Sequence, residues 1–159
     1  MRHLAVFILS ASLLLPFAGA LGSELVEAGD TFPAFEARDQ HDVDYRFDPG
    51  TATVLIAFDM ATAKLANAVL AEQGAGFLDG HRAVYMANIY GMPRIGRLFA
   101  FPKMRKYPHR IILADAKNLL SPFPQKEDHV TVIQLNDSAV IQATLFWNPK
   151  KDPLEDFLR

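Results

Sequence analysis

A chain of 159 residues that is 50% hydrophobic and 21% charged carries enough apolar side chain for one packed domain, and its composition is neither that of a disordered nor of a fibrous protein. A formal net charge of −2 offers no general attraction for nucleic acid. No cysteine is present, which excludes disulfide stabilisation, a cysteine-linked lipid anchor and thiol redox chemistry together.

The first residues, MRHLAVFILSASLLLPFAGA, combine Arg2, an apolar run from Leu4 to Leu15 and the small residues Ala18-Gly19-Ala20. That order predicts a cleavable secretory leader over residues 1–20. The apolar run stops at Pro16, short of the roughly 20 residues a membrane-spanning helix needs. The expectation is soluble export to a bacterial periplasm, with residues 21–159 forming one domain and no transmembrane segment after cleavage.

Beyond the leader, Ala34–Arg38 and Val43–Phe47 flank the polar run Asp39-Gln40-His41-Asp42, which predicts a β-hairpin. Asp48-Pro49-Gly50 supplies the turn that follows. Thr53–Phe58 is continuously apolar and β-branched, as in a strand covered on both faces near the sheet centre. After it, Leu65, Ala66, Val69 and Leu70 recur at helical spacing, with Asp59 placed as the N-cap and Gly74 and Gly76 as the stop.

Ala83–Ile89 reads as a second inner strand, Pro93–Phe101 as a helix with proline in its first turn, and Arg110–Ala114 as a short strand. Pro122 and Pro124 forbid a regular helix in the next connection. Val130–Asn136 and Val140–Trp147 read as a closing hairpin, the second strand placing Ile141, Ala143, Leu145 and Trp147 on one face. Pro153–Leu158 predicts a short terminal helix.

This order implies an α/β domain with a right-handed parallel crossover. Three stretches, AGDTFPAFEARDQHD, TVLIAF and VTVIQLNDSAVI, resemble the opening segment, first central strand and final hairpin of the thioredoxin-like superfamily, in its exported peroxiredoxin and thiol-disulfide oxidoreductase branches. The resemblance implies a thioredoxin-like fold: a central mixed sheet with an N-terminal β-hairpin and helices on both faces. It also implies an active-site turn at the start of the first long helix, where amide donors and the helix dipole stabilise a cysteine thiolate. Here that turn reads Asp59-Met60-Ala61-Thr62-Ala63-Lys64, without the nucleophile. The superfamily's cis-proline falls near Val130-Thr131, where a cis bond without proline would cost about 2.5–4 kcal/mol. Thiol oxidoreductase and peroxidase activity are thereby excluded, and the turn residues Asp59, Met60, Thr62 and Lys64 with Val130 stand as a vestige.

Asp59, Thr62 and Lys64 could still assist acid-base chemistry or hold an anion; a capping carboxylate and a solvated lysine are the simpler account. Charge is also uneven. Glu24–Asp48 is rich in carboxylates, whereas Arg94, Arg97, Lys103, Arg105, Lys106 and Arg110 share a segment without one acid. Lys103, Arg105, Lys106 and Arg110, interleaved with Phe99, Phe101 and Tyr107, form a candidate patch for an anionic ligand or acidic protein. The alternative is a solvated basic face docked on the acidic N-terminal segment. His41, His81, His109 and His129 lack zinc spacing, the carboxylates lack a calcium-loop pattern, and no Gly-rich turn for a flavin or nicotinamide follows a strand. No metal or cofactor is therefore expected. The reading is a redox-inactive periplasmic protein that binds an envelope protein or an anionic ligand. The alternatives are an enzyme with non-thiol chemistry in the same groove and an accessory subunit of an envelope complex.

Overall fold

A computed structural model describes residues 25–158, so the leader expected over residues 1–20 lies outside the described part. Among the described residues no helix is long and apolar enough to cross a membrane. Seven strands form one sheet: β1 (Glu36–Asp39), β2 (Asp44–Arg46), β3 (Thr53–Ala57), β4 (Ala83–Asn88), β5 (Ile112–Ala114), β6 (Val130–Leu135) and β7 (Ile141–Trp147). The helices are α1 (Met60–Gln73), the single turn α2 (Phe77–Gly80) and α3 (Arg94–Met104), with a 3-10 turn at Leu154–Phe157.

The order across the sheet is β2-β1-β5-β4-β3-β6-β7. β3 lies inside it, parallel to β4 and antiparallel to β6, and all five of its residues are buried. Its side chains alternate as a pleat requires: Leu55 and Ala57 enter one core, Val54 and Ile56 the other. The chain then turns directly into α1, whose Ala66 and Leu70 return onto the first core. Gly74, at φ 90°, ends this helix in the left-handed region open to glycine.

Two expectations are corrected. The first concerns the helices, which do not cover both faces. From β3 to β4 and from β4 to β5 the chain steps in the same direction along the sheet, so two right-handed crossovers put α1 and α3 on the same side. α2 and the 3-10 turn join them there through Leu78 and Leu154. Among the described residues the opposite face is covered by loops: Phe32 and Phe35 before β1, Phe47 after β2, and Leu120 and Phe123 in the proline-bearing connection. Phe32 stacks on Phe123 at 5.1 Å and meets Phe47 at 4.7 Å.

The second correction is the face of Ile141. Gln134 pairs with Ala143 but Leu135 with Ile141, a β-bulge that leaves Gln142 as the extra residue. Downstream of it, Leu145 and Trp147 face the helix side; Ile141 faces the loop side with Leu135. α3 also runs past Phe101 to Met104, with Pro102 inside it.

Candidate functional site

The turn after β3 holds Asp59 in extended backbone, where its Oδ1 accepts the Thr62 amide at 2.8 Å and caps α1. Thr62 is buried, while Met60 and Lys64 are exposed. The three polar residues thus do not converge: the carboxylate is committed to the helix end and the lysine points to solvent. Register Ile56↔Thr131 sets Val130 beside the end of β3, where α1 begins. No peptide bond among the described residues is cis, and Val130 is fully buried in the helix-side core. Beneath the turn, Tyr85 donates its hydroxyl to the Ala63 carbonyl at 3.4 Å, and burial raises its pKa well above the ordinary tyrosine range.

The basic segment is divided by the fold. Arg110 Nε donates to Asp39 Oδ2 at 2.9 Å and its guanidinium lies 5.1 Å from the centre of the Tyr45 ring. Burial works against charge on Asp39, yet the Val43 and His41 amides and Arg110 hold its carboxyl below the usual carboxylate range. Arg105 donates to the Gln40 carbonyl at 2.9 Å, and Arg97 forms a two-pronged pair with Asp115. Arg105 thus ties the acidic hairpin to the end of α3, and Arg110 ties it to the segment entering β5. Lys103 and Lys106 remain exposed, and neither side chain has an ion-pair or hydrogen-bond partner among the described residues.

Lys103 belongs instead to a groove of about 300 Å³ between α1, the end of β4 and α3. Met60, Met92, Phe99, Met104 and Tyr107 supply apolar surface, Asn67 and Asn88 polar points, and Lys64 and Lys103 the charge. Among the described residues no carboxylate lines it. The sequence places Phe99, Lys103 and Tyr107 in one basic patch and Met60 and Lys64 in the turn that opens α1, without joining the two, and gives no sign of Met92, Met104 and Asn67. The signal was in α3, where Ala100, Phe101 and Met104 pack inward while Ile95, Leu98 and Phe99 are 63%, 69% and 67% exposed. A helix apolar on two faces has a second face to cover.

Behind the groove, His109 is only 1% exposed. Its Nε2 lies 2.9 Å from Asn67 Oδ1, which assigns the proton to Nε2. Nδ1 is buried without a hydrogen-bond partner among the described residues. Tyr107 and Tyr85 flank the ring at 5.4 and 6.0 Å between centroids. Burial pushes the imidazole pKa down to about 4, so the ring is neutral near pH 7. Among the described residues no three His, Asp or Glu side chains gather as a metal-holding group.

No protein-family model and no curated protein matches this sequence. Solved structures do. The thioredoxin domain of a thiol-disulfide oxidoreductase from Bacteroides vulgatus superposes with a TM-score of 0.53 at 14% identity, over 84% of this chain and 99% of that one. A protein described as thiol:disulfide interchange protein DsbE, from Chlorobium tepidum, gives 0.59 at 12% identity, over 82% and 94%. The peroxidoxin BcpB of Mycobacterium tuberculosis gives 0.50 at 14%, over 77% and 88%.

Proposed function

With a thioredoxin-like fold and no cysteine as the premise, we propose that the chain acts by binding a partner protein outside the cytoplasm, through the groove between α1 and α3. One observation carries this reading. Beside the turn where the resemblance places the catalytic thiol, the protein keeps an open apolar groove with two cations and no acid. A catalyst needs a positioned nucleophile or acid-base pair, and the carboxylate of this turn, Asp59, is occupied as a helix cap. A binding surface needs only shape, apolar area and complementary charge, and methionines adapt such surfaces to irregular partners. The leader-like residues 1–20 support action in the periplasm, where membership of an envelope complex is one form such binding takes. An anionic small ligand would use the same lysines; the apolar walls favour a polypeptide.

The test is site-specific photo-crosslinking in cells. A photoreactive residue at Met60 should give a discrete protein adduct, lost when Lys64→Glu and Lys103→Glu are combined. The same probe at Gln142, on the far edge strand, should give none. Identical adducts from both positions, or none from Met60, would reject the assignment.

A further inference from the structure

Building on that binding reading, we infer that the occupant of the α1–α3 groove is an amphipathic helix of a partner protein, with an apolar stripe flanked by carboxylates. Phe99 lines the groove, and Ile95, Leu98 and Pro102, which lie outside its lining, extend it into an exposed stripe along α3 at the i, i+3, i+4, i+7 spacing. This is the spacing by which two helices pack ridge against groove. Met60, 59% exposed, continues the apolar surface onto α1.

Charge complementarity selects the sign of the partner. Lys64 and Lys103 line the groove, Arg94 and Lys106 are exposed near the two ends of α3, and none of these four side chains has an ion-pair or hydrogen-bond partner among the described residues. α3 itself contains no Asp or Glu. Asp39 of the acidic N-terminal segment is engaged with Arg110, and Asp115, which follows β5, with Arg97. An incoming stripe flanked by Glu or Asp meets Lys64 and Lys103 in the groove, whereas a basic partner meets repulsion.

Backbone chemistry selects the partner's secondary structure. The sheet edges are β2 and β7, and the groove borders neither of them as a free edge, since β4 is paired on both sides. An extended peptide laid between α1 and α3 would find no ladder to complete and would bury unpaired amides. A helix arrives with its backbone bonds already made. A bilayer would also welcome exposed Leu and Phe beside lysines, but a planar surface leaves the concave part of the groove unfilled.

The exported chain without its leader should be titrated into two labelled synthetic helices that share one leucine stripe, flanked by glutamates in one and by lysines in the other. Fluorescence anisotropy should show saturable binding of the glutamate helix, at least about tenfold tighter than the lysine helix. Leu98→Ser with Phe99→Ser, and separately Lys64→Glu with Lys103→Glu, should each weaken it by about tenfold or more, with circular dichroism unchanged because all four side chains are exposed. Equal binding of both helices, or binding insensitive to both variants, overturns the inference. So does failure of either helix to bind while the chain co-sediments with phosphatidylglycerol vesicles in a manner abolished by the same variants. A Met60 crosslink that persists without helix binding removes the helical partner and leaves the broader reading standing; loss of both removes both.

Discussion

Protonating His109 should destabilise the fold by an amount that can be worked from its surroundings. The ring is 1% exposed, its Nε2 is taken by Asn67 Oδ1 at 2.9 Å, and Nδ1 has no acceptor for a second proton. Its pKa falls from 6.5 to about 4 through burial. The folded state therefore binds fewer protons than the unfolded chain across that interval, and stability rises with pH through it. At about 1.4 kcal/mol per pKa unit, acidification from above 6.5 to below 4 removes about 3 kcal/mol through this residue alone. Urea unfolding of the wild type and of His109→Phe, followed by the fluorescence of the single tryptophan at pH values from 7 down to 4, isolates the contribution. The carboxylates titrate in both proteins, so the stability of the wild type relative to His109→Phe should fall by about 3 kcal/mol as pH falls to 4. A difference that stays flat over this range would show that His109 is not held neutral by burial, and the polar arrangement behind the groove would have to be redrawn.

Removing the cap with Asp59→Ala should cost about 1 kcal/mol in the same unfolding experiment, with Asp59→Ser recovering most of it, since a hydroxyl also accepts the Thr62 amide. Arg110→Met should lower stability by about 1–2 kcal/mol at neutral pH and speed amide exchange in the β1–β2 hairpin. The carboxyl of Asp39 is held low in the fold, so its contribution is present above the ordinary carboxylate pKa, and the Arg110→Met difference should fade as acid protonates it. Trp147 is fully buried and donates Nε1–H to the Asp152 carbonyl at 3.0 Å. Trp147→Ala should therefore cost about 3–5 kcal/mol, measured by thermal unfolding monitored by circular dichroism.

Much of the central architecture was legible because it is local. A fully apolar β-branched run followed by aspartate and a helical repeat specifies strand, cap and helix within about twenty residues, and β3, Asp59 and α1 follow that order. The closing hairpin was legible for the same reason, its bulge was not: alternation along Ile141–Trp147 looks regular, and the inserted Gln142 is visible only against the partner strand. Placing every helix on one face depends on the direction of two crossovers, a property of strand order. The groove was hidden for a further reason. Met60, Met92, Phe99 and Lys103 come from three segments, each ordinary alone, and His109 reaches Asn67 from 42 positions away. Charge patterning foresaw attraction between the acidic and basic segments; only the fold distinguishes Arg110, paired with Asp39, and Arg105, bonded to the Gln40 carbonyl, from Lys103 and Lys106, whose side chains have no such partner among the described residues.

The loop-clad face of the sheet has an evolutionary consequence. A helix laid on a sheet must keep its apolar residues in phase for several turns, so changes along it are coupled. Phe32, Phe35, Phe47 and Phe123 meet from separate irregular segments and need only fill a volume together. That side of the molecule is free to lengthen, shorten and drift in sequence, provided the aromatic bulk is conserved as a whole, while the α1–α3 side remains bound to its helical repeat.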